Sequence, residues 1–197
     1  LDLLTDSFFP TTALWRFKVS ITQGLGKLME IRRPTSADKE TVLDMIAEFL
    51  EQESATDGLW HFRADQFSYE EWLEASLRQE MGLASQGVPA IQYVAFDERN
   101  QALGFLNLRL RLNASLLEKG GHIGYSVRPS QRGKGYAKEM LKQAVSFAIS
   151  KNIKAILVTC DEANAASRAV IMANGGVLED SRGGTERYWI EGQRGDK

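Results

Sequence analysis

From residue 29 onward the apolar positions change period several times, and each change marks an element. "MEI" reads as a short strand broken at Pro34, and Ser36 is placed to cap the helix that follows. In that helix Val42, Leu43, Ile46, Phe49 and Leu50 recur at three-and-four spacing, which predicts one face packed on a sheet. Ser68 and Glu71 form a capping-box pattern flanked by Phe67 and Trp72, announcing a second helix with Leu73 and Leu77 on its inner face. "AIQYVAF" and "ALGFLNLRLRL", joined by "DERNQ", predict an antiparallel hairpin. Leu106, Leu108, Leu110 and Leu112 share its core face, and Asn107, Arg109 and Arg111 face solvent or a cleft. "HIGYSV" is a third strand of this group. Ala137, Met140, Leu141, Ala144, Val145 and Ala148 return to helical spacing and end near Asn152. "AILVTC" then reads as a strand buried on both faces, 164–174 as a helix stopped by Gly175 and Gly176, and "VLEDS", "RGG", "TERYWI" as a hairpin with a glycine turn. The order predicts an α+β domain around one sheet, without internal repeats.

Residues 1–28 carry Asp2 and Asp6 where a secretory signal carries basic residues, so they read as an N-terminal extension, or as sequence not native to the chain. The alternative is a segment docking Phe8, Phe9 and Trp15 on the core. The domain is expected over 29–192, with 193–197 as a tail. At 197 residues the chain holds one domain with a substantial core, and 43% hydrophobic with 25% charged residues is the balance of a water-soluble globule. No apolar run approaches the roughly 20 residues of a membrane span. A net charge of -2 gives no overall reason to bind nucleic acid. One cysteine, Cys160, and two histidines, His61 and His122, assemble neither a disulfide framework nor a Cys/His zinc site, so no metal is expected and the cytoplasm is the simplest compartment.

The chemistry concentrates in "VRPSQRGKGYAKEMLKQAV". A strand that runs through a glycine-bearing turn into a helix leaves backbone N–H groups unpaired at the positive end of the helix dipole, where phosphate fits. Gly133 and Gly135 admit close backbone approach, and Arg132, Lys134 and Lys138 surround the turn with positive charge. A P-loop requires a different glycine spacing followed by Gly-Lys-Ser/Thr, and the dinucleotide fingerprint requires a third glycine where Lys138 stands.

Arg132-x-x-Gly135-x-Ala137 after a strand ending Val127-x-Pro129 resembles the GNAT superfamily of N-acetyltransferases, as does Asn164-x-x-Ser167 followed by Asn174-Gly175-Gly176. The resemblance spans 29–191. It implies a mostly antiparallel, mixed central sheet flanked by helices, with a splayed strand pair, 122–127 and 156–160, that holds acetyl-CoA as cosubstrate. It further implies that Val127, Arg132, Gly133, Lys134, Gly135, Tyr136, Ala137, Lys138 and Asn164 bind this donor, with the Val127 N–H polarising the thioester carbonyl. His122 is the candidate base for the attacking amine, Glu186 a second carboxylate within reach. Many relatives carry a tyrosine acid seven residues after the helix asparagine; Ile171 stands there, leaving Ser167 as the nearby hydroxyl. Cys160, closing an apolar strand, reads as inert core. The expected activity is direct acetyl transfer to a primary amine of a small molecule or peptide, with a non-catalytic acyl-CoA sensor as the alternative and a homodimer left open. Trp60, His61, Asn107, Arg109 and the turn 182–184 are expected to line the acceptor site, the arginines suiting an acceptor with a carboxylate or phosphate.

Overall fold

A computed structural model describes residues 29–60, 62 and 67–192. The expected extension, the tail and His61 lie outside the described residues. β1 (Met29–Arg32), β2 (Ala90–Asp97), β3 (Ala102–Arg109) and β4 (Ile123–Val127) pair antiparallel in chain order, and β5 (Ala155–Asp161), β6 (Val177–Arg182) and β7 (Thr185–Glu191) form a second sheet with β7 in the middle. The one expected sheet is therefore two, divided between β4 and β5.

α1 (Lys39–Glu51) and α2 (Tyr69–Glu80) cover one face of the first sheet, where Val42, Met45, Phe49 and Trp72 close a core over Phe96 and Phe105. α4 (Tyr136–Ser150) covers the other, burying Met140 and Leu141 against Leu106, Leu108, Ile123, Ile156 and Ile190. That second core continues across the division and holds the two sheets together. A short α3 (Ala114–Glu118), capped by Asn113, follows β3, and α5 (Ala165–Met172) follows β5.

Several local expectations are corrected. Thr35, not Ser36, opens the first helical turn: the Asp38 carboxylate takes both its N–H and its hydroxyl at 2.8 Å while Arg32 pairs with the same side chain. Leu50 and Leu77 are exposed, because each helix turns its buried stripe through Met45 and Phe49, and through Tyr69 and Trp72. β3 stops at Arg109, so Leu112 leaves the strand. Asn107 reaches no solvent; it is buried beneath the 58–60 segment, where Gln92 holds Gly58 O and Trp60 N–H and receives the Asn107 amide.

Register fixes what the division exposes. The bonds Arg109 N–H to His122 O and Arg128 N–H to Leu103 O mark the even-numbered residues of β4 as those bonded to β3. Tyr125 and Val127 consequently direct their own N–H and C=O groups away from β3, toward the side where β5 runs. At the junction just before β4, His122 N–H donates to Leu157 O at 2.7 Å, Leu157 N–H donates to His122 Nδ1 at 3.0 Å, and Gly120 N–H donates to Thr159 Oγ1 at 2.9 Å. Beyond it neither strand pairs with the other. Gly121 is required at this junction, since a Cβ there would stand 2.4 Å from Leu157 O.

Candidate active site

The turn between β4 and α4 carries the predicted cradle. Gly133 and Gly135 adopt φ of +73° and +83°, and a Cβ on either would meet no protein atom within 4 Å, so the space above them is open. Among the described residues no backbone acceptor takes the N–H groups of Gly133, Lys134, Gly135, Tyr136 or Ala137. Consecutive unpaired donors at a helix N-terminus form a concave site that suits an anion. Tyr136 offers only its backbone, its ring being buried in the core. Lys134 folds back to Ser130 O and Gln131 Oε1, and Lys138 is exposed beside the turn. Arg132 does not point into the open space. Its Nε donates to Val127 O at 3.1 Å and its Nη2 to Ser54 Oγ at 2.6 Å.

The cradle is anchored by a pair that sequence reasoning missed. Arg128, buried at the end of β4, pairs with Glu48 and Asp44 of α1, and Glu48 also accepts the Ser130 N–H. Burial pushes the Glu48 carboxyl up, but the bonds from Arg128 and Ser130 outweigh it and hold the group below its usual value.

Where β4 and β5 part, Tyr125 Oη lies 3.1 Å from Ser167 Oγ on the first turn of α5. Asn164 caps that helix by accepting the Ser167 N–H at 3.0 Å. Ile171, farther along, is fully buried. Cys160 is buried on β5, its thiol pushed up to about 11 by burial and by the neighbouring Glu186. Sequence reasoning missed Tyr125; its odd-numbered place on the last strand before the cradle is the available signal.

Both expected bases are engaged by hydrogen bonds. His122 is 7% exposed, and its Nδ1 accepts the Leu157 N–H, so the neutral ring carries its proton on Nε2. Burial, with Arg109 nearby, lowers its pKa to about 4. Its place is the strand junction. Glu186 receives two bonds from Arg168 at 2.8 Å and one from Tyr188 at 2.8 Å, and the Arg168 bonds hold it below the ordinary carboxylate range.

On the face of β3 and β4 away from α4, Arg109 gives Nη1 to Gly120 O and Gly121 O at 2.8 and 3.1 Å. Among the described residues its Nε and Nη2 have no acceptor, and no carboxylate pairs with it; burial lowers its pKa while the field of Asp57 raises it. The 182–184 turn is tied down, with Arg182 bonded to Glu118 of α3 and Asp180 of β6. Among the described residues no helix is long and apolar enough to cross a membrane.

The family model described as acetyltransferase (GNAT) domain matches residues 29–177. No curated protein sequence matches the chain significantly. Among solved structures, the chain is similar to ribosomal-protein-S5-alanine acetyltransferase from Vibrio fischeri, at 16% identity and a TM-score of 0.59, covering 83% of this chain and 92% of that one. It is also similar to PaiA N-acetyltransferase from Thermoplasma acidophilum in complex with coenzyme A, at 18% identity, TM-score 0.54, 83% of this chain and 99% of that one. A third is the spermidine/spermine N-acetyltransferase SpeG from Vibrio cholerae, at 15% identity, TM-score 0.54, 83% and 95%.

Proposed function

The chain belongs to the GNAT acetyltransferase family, and from that premise we propose that it moves the acetyl group of acetyl-CoA directly to a small primary amine or peptide terminus. The acceptor class we assign is an α-amine near an anionic group. The observation that carries the donor is the run of unpaired N–H groups over Gly133 and Gly135 at the end of β4. Those amides, with Lys134 and Lys138, would hold the pyrophosphate, and Asn164 would approach the donor at the mouth of the opening. Acetyl-CoA supplies an acetyl carbon joined to a good leaving group. The Val127 N–H, aimed away from β3, would steady negative charge on a carbonyl oxygen in the opening. No covalent enzyme intermediate is needed, since a positioned amine can attack the thioester directly.

Support for the acceptor class is electrostatic. Arg109 keeps Nε and Nη2 for an anion, and a polyamine such as the one named for the SpeG neighbour would place further positive charge beside it. The α-amine of a peptide also needs less help from a base than a side-chain amine, as its pKa lies near 8 rather than 10.4. Thiol release from acetyl-CoA, followed across amino acids, dipeptides, polyamines and lysine derivatives, tests the proposal. Release with α-amino acids or dipeptides is expected. Bound acetyl-CoA with no release for any amine would overturn acetyl transfer, and release confined to polyamines would overturn the acceptor class.

A further inference from the structure

Two hydroxyls meet across the opening between β4 and β5, at 3.1 Å between Tyr125 Oη and Ser167 Oγ. Tyr125 shares the odd-numbered face of β4 with Ile123 and Val127, which the core buries, but it stands half-buried where the strands have already parted. The Asn164 cap fixes the first turn of α5 and so fixes Ser167. Farther along the helix Arg168 is turned to Glu186, and Ile171, fully buried, carries no donor; a Cβ on Gly176 would lie 2.4 Å from its Cγ2. On the β5 side the Cys160 S–H is turned to Glu186 at 3.6 Å. Ser167 can donate to the phenol oxygen, which leaves the phenol hydrogen free to be directed into the opening.

We infer that Tyr125 is the proton donor to the departing sulfur of the acetyl donor, with Ser167 as the positioning residue that aims its hydroxyl. This rests on the acetyl-transfer reading above. The balance is complete within that reaction. The amine nitrogen bonds to the acetyl carbon, the C–S bond breaks with its electron pair going to sulfur, and the Tyr125 hydrogen passes to sulfur as it leaves. Tyr125 regains a proton through Ser167 from the amine nitrogen, which becomes strongly acidic once bonded to carbon. The groups facing Tyr125 are Ser167 from α5, Cys160 from β5 and Asp57 from the loop before α2; burial chiefly, with Cys160 and Asp57 adding, raises the phenol to about 12, so it stays protonated through neutral pH.

Tyr125→Phe tests the assignment with two readouts, because it removes the hydroxyl and leaves the ring. General acid loss predicts kcat lowered about 100-fold or more with the dissociation constant of acetyl-CoA unchanged. Ser167→Ala, which leaves the tyrosine, should lower kcat less than tenfold. The second readout needs no turnover: CoA should bind more tightly than desulfo-CoA, increasingly so above about pH 8.5 where the thiol ionises, and Tyr125→Phe should erase that preference. A Tyr125→Phe protein that keeps kcat within threefold and keeps the CoA preference overturns the role of Tyr125 alone. Wild-type protein that binds neither CoA nor desulfo-CoA overturns the acetyl-CoA reading instead.

Discussion

His122 and Leu157 exchange two hydrogen bonds, backbone N–H to carbonyl in one direction and backbone N–H to imidazole Nδ1 in the other, and this exchange ties the start of β4 to β5. The imidazole does what a further backbone carbonyl would do in a continuous sheet. It lets the strands separate immediately afterward without orphaning the Leu157 N–H.

His122→Ala should therefore act on stability before it acts on catalysis. The Leu157 N–H would lose its acceptor in a buried setting, costing about 1–3 kcal/mol plus a cavity term. The pH dependence has a definite sign. The folded pKa of about 4 lies below the unfolded value of about 6.5, so the unfolded chain binds the extra proton between them. Stability contributed by the neutral ring is full above about pH 6.5 and is lost as pH falls toward 4, by at most about 3 kcal/mol. Urea denaturation from pH 4 to 8 should show this slope in the wild type and a shallower one in His122→Ala. A variant of unchanged stability whose rate loses its acidic limb would restore His122 as a base.

Gly135→Asp separates folding from donor binding. The added side chain meets no protein atom, and φ of +83° penalises it by about 1–2 kcal/mol, so the fold should persist. Its carboxylate would occupy the space assigned to pyrophosphate, and acetyl-CoA affinity should fall by at least 100-fold in calorimetry. Wild-type affinity in the folded variant would place the phosphates elsewhere.

Glu48→Ala probes the anchor under the cradle. Arg128 would be left buried without its main partner, which costs about 3–5 kcal/mol, and the Ser130 N–H would lose its acceptor at the start of the turn. A lowered melting temperature together with a raised KM for acetyl-CoA and a nearly unchanged kcat is expected. If the melting temperature fell while KM stayed at its wild-type value, the pair would serve stability only.

The cradle was legible because its chemistry is local: the glycines, the basic residues and the helix start lie within one turn of chain, and positive φ is a demand that sequence states openly. The Arg128 anchor was not, since Glu48 lies 80 residues earlier and nothing in "DMIAEFL" marks one glutamate as buried. Asn107 alternates with leucines as a solvent-facing residue would, yet the 58–60 segment folds over it, and only that closure makes it core. Ser167 was singled out by helix spacing, but its partner is a strand residue across the division of the sheet, a juxtaposition that depends on β4 and β5 parting at His122. The junction bond of His122 was equally hidden, for a histidine opening a strand beside two glycines has the same sequence whether it faces a cleft or closes a junction.

The bonds that engage His122 Nδ1 and the Glu186 carboxylate bear on the acceptor itself. At pH 7 roughly 15% of an α-amine of pKa about 7.8 is neutral, against about 0.04% of an amine of pKa about 10.4, a ratio of about 300 to 400 that no contact has to supply. If residues of this chain position the amine without deprotonating it, log kcat/KM for each acceptor should rise with unit slope and level off at that acceptor's own pKa. Dipeptides should therefore plateau near pH 8, and a lysine side chain should still be climbing at pH 9. Measuring kcat/KM for both from pH 6 to 10 at saturating acetyl-CoA decides it. A common plateau near neutrality for both acceptors would require an enzymic base, and Asp57, whose field reaches both Arg109 and Tyr125, would be the first residue to replace.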